Sequence, residues 1–155
     1  GNAAWWAGTM REYRSHIWLG TSVENQEYAD KLITELLKCP AVVRFLSCEP
    51  LLGPVNLVSA CWGEGRSRPP IAVQAGQLDN QLYGLHWVIT GAESGRGARP
   101  MNEDWVRFLR DQCTTAGVPF FFKQRLDGKG HKVSLPELDG KVWDQLPDRT
   151  GVPTA

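Results

Sequence analysis

Short joints between strand-like and helix-like segments constrain this chain more than any other feature. "HIWLGTSV", residues 16–23, is rich in strand formers and breaks into polar residues at Thr21-Ser22. "ENQEYADKLITELLKC" follows, with Tyr28, Ala29, Leu32, Ile33, Leu36 and Leu37 at helical spacing, Asn25 in position to cap and Pro40 as the stop. "VVRFLSCE", residues 42–49, returns to strand. The same alternation resumes with "LHWVITGAESG" (85–95), "NEDWVRFLRDQCTTAG" and "VPFFFKQ" (118–124). In that second helix Asn102 caps, Glu103 and Asp104 suit the positive end of the helix dipole, and Gly117 fits the C′ position. Its stripe is Trp105, Phe108, Leu109, Gln112, Cys113 and Ala116, with Gln112 the polar exception.

Strands alternating with helices predict an α/β fold with a parallel sheet of β/α units. Near-continuous apolar runs such as Trp87-Val-Ile89 and Phe120-Phe-Phe122 fit strands covered on both faces. About four strands fall short of an eight-stranded barrel of ~250 residues. The pattern leaves an open four-stranded sheet or half of a barrel, with exposed edges at Ile17–Val23 and Phe120–Gln124. Residues 56–84, rich in Gly, Pro, Ser and Gln, read as an insertion or surface excursion. Residues 126–155 read as a wrapping tail anchored by Val142 and Trp143. The 155 residues are enough for one domain.

Seventeen basic residues balance seventeen acidic ones, so no global field draws the chain to nucleic acid or an anionic membrane. No apolar run has the length of a membrane span, and none reads as a signal peptide. Cys39, Cys48, Cys61 and Cys113 form no CxxC pair and read as reduced thiols of a cytoplasmic protein.

A carboxylate and a proline stand where the second strand stops, in "RFLSCEPLLGP" (44–54). A strand interior disfavours both, so Glu49 is expected just past the last paired residue. In parallel α/β folds, ligands bind at the carboxyl ends of the strands. That rule gathers Thr21, Ser22 and Glu24, then Ser47 and Glu49, then Gly91, Glu93 and Ser94, then Lys123 and Gln124. The ligand-binding candidates are Glu49, Glu93, Gly91, Ser94, Ser22, Glu24 and Lys123, around an unknown small polar substrate. Each has a structural counterpart. Glu24 suits a helix dipole, Glu49 could be satisfied by backbone amides, glycines make tight turns, and Lys123 could simply pair with a glutamate. An anion loop through Arg96 or Arg99 in "GAESGRGARP" lacks the phosphate-loop pattern. No Cys/His pair or GxSxG elbow is present, and the four cysteines alone suggest no metal site.

"WLGTSVENQEYADKLITELL", "AVVRFLSCEPLLGPVNL", "LHWVITGAESGRGARPMNEDWVRFLRDQCTTAGVPFFFKQ" and "ELDGKVWDQLP" together resemble a phage-associated family of unknown function named after phage gene products thirty-seven and sixty-eight. The resemblance spans Ile17 to Pro147 apart from the insertion, with Arg125 where the family carries an aromatic. It implies a wholly or partly TIM-like (β/α) barrel of radical S-adenosylmethionine type. Family members carry, further towards the N-terminus, three cysteines for a [4Fe–4S] cluster. None of that motif lies in this sequence, and Cys48 matches a different block, so no iron ligand carries over. The resemblance therefore implies the C-terminal half of an enzyme, with no cofactor in this chain itself. The mouth around Glu49, Gly91 and Glu93 would help hold the methionine part of the cofactor or the substrate. The missing half or a second copy would be the partner. The alternatives are a stand-alone small-ligand module and an inactive gene remnant.

Overall fold

The computed structural model describes residues 17–62, 82 and 84–148. Five strands form one sheet in the order β1 (Trp18–Ser22), β2 (Val43–Cys48), β3 (Trp87–Gly91), β4 (Phe120–Leu126), β5 (Lys132–Ser134). The first four are parallel, and β5 runs antiparallel to β4. The sheet is open. Among the described residues three helices accompany it: α1 (Gln26–Lys38), α2 (Leu57–Trp62) and α3 (Glu103–Ala116). A hairpin of β6 (Glu137–Leu138) and β7 (Lys141–Val142) lies beyond the sheet in sequence. No described helix is long and apolar enough to cross a membrane.

The helix ends obey local chemistry. Asn25 Oδ1 accepts from the amide of Tyr28 at 3.2 Å, and Asn102 Oδ1 from that of Asp104 at 2.9 Å. Gly117 closes α3 with φ 67°, a left-handed turn that a Cβ would strain. The buried faces are narrower than the periodicity suggests. Ala29, Ile33 and Leu36 are buried on α1, while Tyr28 is exposed. On α3, Val106 is buried and Phe108 is exposed. Gln112 earns its place in the apolar stripe by bridging chain segments. Its Oε1 accepts from Leu57 N at 2.8 Å and its Nε2 donates to Val55 O at 2.9 Å. The region expected as an excursion therefore opens with a core helix, since Leu57, Ala60 and Cys61 are buried. The part of that region at 63–81 lies outside the described residues.

The two sheet faces differ. Leu46, Cys48, Val88, Phe120 and Phe122 join Ile33, Leu36, Leu109 and Cys113 in one core. Burying each large apolar side chain stabilises by ~1.5–3 kcal/mol. The opposite face carries Trp18, Phe45, Trp87 and Phe121, one from each parallel strand. Trp87 meets the other three rings at centroid distances of 6.0, 5.8 and 5.9 Å. Gly20 is needed here because the Phe45 ring lies where its Cβ would be. Among the described residues the helices cover only one face, and Trp18 remains 38% exposed. Strands covered on both faces were expected; aromatic bulk had suggested it.

The expected open edge at Phe120–Gln124 is closed. Residues Gln124–Leu126 pair with β5, and further back the amide of Phe122 donates to Trp143 O at 2.7 Å while that of Gln145 donates to Phe120 O at 3.2 Å. Leu138 and Trp143 anchor this stretch, Trp143 meeting the Phe120 ring at 6.1 Å. Val142, expected to anchor as well, is exposed. Arg107 and Arg110 hold the hairpin turn to α3 through Asp139 at 3.0 and 2.5 Å.

Candidate functional site

Glu49 does lie one residue past the end of β2. Its Oε2 accepts from Lys123 Nζ at 3.2 Å and from Ser47 Oγ at 3.3 Å. Its Oε1 is buried and has no hydrogen-bond partner. Gly91, at the end of β3, stands directly against that oxygen. A Cβ there would lie 2.7 Å from Oε1 and 3.1 Å from Gln124 Cγ. Backbone amides do not satisfy Glu49; those nearby are committed elsewhere, Leu51 N donating to Gly91 O at 3.1 Å. The expected pairing of Lys123 with a glutamate is present, across the one intervening strand, β3.

Glu93 has the opposite outcome. Arg99 Nε and Nη2 donate to its two oxygens at 2.7 and 2.9 Å, and Arg99 N donates to Oε2 at 2.9 Å. Those side-chain and backbone hydrogen bonds hold the Glu93 carboxyl down at about 2. Glu24 also acts on the Arg99 guanidinium through its charge. Arg99 is thus engaged within its own loop, and it does not stand ready as an anion donor. Glu24 contributes structure as well, its carbonyl accepting from Leu52 N at 2.8 Å.

Ser22 is exposed at the end of β1, beside Ser47 in the register. Ser94 is exposed in the loop after β3. Gln124 is turned inward, donating from Nε2 to Ala92 O at 2.8 Å and so fixing the loop that leaves β3. The geometry therefore divides the candidates. Glu49, Gly91, Lys123 and Ser47 form one cluster, while Glu93 and Glu24 gather round Arg99. The partner choices were invisible in the sequence.

The three buried thiols offer no reactive group. Cys48 and Cys61 are buried, and burial pushes both thiols up to about 12, with the Glu49 charge adding to the effect at Cys48. Cys113 is raised for the same reason. Among the described residues no three His, Cys, Asp or Glu side chains come together as a metal-ligand set. These cysteines therefore do not fit an iron–sulfur cluster. His86, at the amino end of β3, accepts from Arg44 N at 3.0 Å through Nδ1, and burial followed by the Arg44 charge lowers its pKa.

No curated protein and no solved structure matches this chain. Residues 3–147 match the family described as "Protein of unknown function (DUF5131)", and the chain belongs to that family.

Proposed function

We propose that the mouth at the ends of β2, β3 and β4 binds a small polar molecule through a positively charged or hydrogen-bonding donor group. The observation that carries this reading is the buried, unpartnered Oε1 of Glu49 against Gly91. An unmet buried acceptor costs about 1–3 kcal/mol, and more when charged, so an arriving donor recovers that loss. Lys123 supplies the complementary charge and is half exposed, so it can turn from Glu49 towards a ligand carboxylate. A glutamate and a lysine side by side suit a zwitterion, with the ammonium on Glu49 and the carboxylate on Lys123.

The aminoacyl end of S-adenosylmethionine has that chemistry. In this reading the chain is one part of a phage-associated protein of radical S-adenosylmethionine type, and its sheet is a segment of a TIM-like barrel. The partly exposed aromatic row, with Trp18 38% exposed, supports completion by further chain, because an exposed apolar patch marks an interaction surface. Radical chemistry would need an iron–sulfur cluster held by ligands other than the described cysteines. A stand-alone binding module would use the same mouth without that step.

Thermal unfolding of the chain with S-adenosylmethionine, methionine or methylamine tests the proposal. Ligand that binds only the folded state raises the midpoint. Stabilisation by the first two that disappears in Glu49→Gln is expected. No stabilisation by any of the three, or stabilisation unchanged in Glu49→Gln, would overturn it.

A further inference from the structure

A cavity of about 260 Å³ lies beyond the end of β3, between the loop that enters α3 and the β4–β5 turn. Glu49, Gly91 and Lys123 do not line it. Its walls are largely apolar, formed by Ala98, Pro100, Met101 and Leu126. Arg125 supplies its cation. The Nε of Arg125 is buried without a hydrogen-bond partner, and Nη1 is held only at 3.5 Å by Glu103 Oε1. The side chain as a whole is 39% exposed and forms part of the cavity wall.

We infer that this cavity is a binding site for a small carboxylate with a short apolar body, held by the guanidinium of Arg125. The planar fork of an arginine matches the two oxygens of a carboxylate. The acidic groups of the wall are already engaged. Glu103 is shared between Arg125 and Arg107. Asp127 accepts from the amides of Lys129 and His131, both at 2.8 Å, and lies 3.3 Å from His131 Nδ1. They make no demand for a cation, and their charges oppose a dianionic phosphate more strongly than a monoanionic carboxylate. The volume falls below the ~300–1,000 Å³ of drug-sized sites, which limits the apolar body to a short one.

The test uses the full chain, labelled at arginine and at methyl groups, titrated with butyrate, butanol and inorganic phosphate at matched ionic strength. Butyrate alone is expected to move the Arg125 Nε–H resonance and the Met101 methyl signal saturably. Arg125→Lys, which keeps the charge and loses the fork, should weaken butyrate binding about tenfold, read at Met101. Ala98→Leu, which fills the cavity from its loop side, should abolish the shift and serves if Arg125→Lys does not fold. No saturable shift with butyrate overturns the inference. So does an equal response to butanol or phosphate, or butyrate binding that survives Ala98→Leu.

Discussion

Glu49 and Glu93 stand just past the ends of neighbouring parallel strands, in sequence settings that read almost alike. The first has one oxygen shared between Lys123 and Ser47 and the other buried with no partner. The second is gripped on both oxygens by one arginine and again by that arginine's own amide. A carboxylate whose hydrogen bonds are complete within six residues is holding a loop. One left incomplete against a glycine has a vacancy in its bonding that the fold does not fill. Position at a strand end therefore nominates a site, and the bonding census distinguishes binding group from brace.

The largest expected effect is at the glycine that makes the incomplete site possible. Gly91→Ala places a Cβ against Glu49 Oε1 and should cost about 1–3 kcal/mol in urea unfolding, as overpacking does. Adding Glu49→Ala should recover part of that loss, and strict additivity of the two would break the contact on which the comparison rests. Next in size is the contrast between the acids themselves. Glu49→Ala should change stability by less than about 1 kcal/mol, because Lys123, its ion-pair partner, is half exposed. Glu93→Ala should lower the unfolding midpoint further, and the reverse order would make Glu49 the brace.

Titration sharpens the same contrast. The Glu93 carboxyl should titrate with a midpoint of about 2, against 4.5 for an unperturbed glutamate, by carbon-detected NMR. Its folded value is the lower one, so its stabilising contribution is complete above about 4.5 and is lost as the pH falls towards 2. Arg99→Ala should return the midpoint towards 4.5, because the Arg99 hydrogen bonds are its main cause. The smallest effect concerns the thiol beside the site. Cys48, fully buried and raised to about 12, should resist alkylation by iodoacetamide under native conditions, while half-buried Cys39 reacts first. Prompt labelling of Cys48 would mean that the region behind Glu49 opens readily.

The alternation of strands and helices was legible because each joint carries its own punctuation. Pro40 and Pro50 stop elements, Asn25 and Asn102 start them, and Gly117 ends one. The position of Glu49 was legible for the same reason. Which strand-end glutamate Lys123 would take was not, since the two lie 74 residues apart and only the parallel register brings them together. The helix α2 escaped notice because six residues are too few to show a period, and Ser- and Gly-rich sequence follows it. The strand β5 escaped because Lys132–Ser134 is three residues long and mostly exposed. Arg125 was not legible as a binding group, because nothing in "FFFKQRL" shows that its Nε is buried unpaired.

The covered flank of β4 has a consequence for how copies of this chain could meet. Among the described residues, β1 has no strand on its outer side, whereas β4 is flanked by β5 and by Trp143–Gln145. A sheet with two free flanks can add copies without limit and grow into a filament. With only one flank free, two copies that meet there across a two-fold axis use up everything they have to offer. Association through this sheet would then be self-limiting, and its natural end point would be a pair.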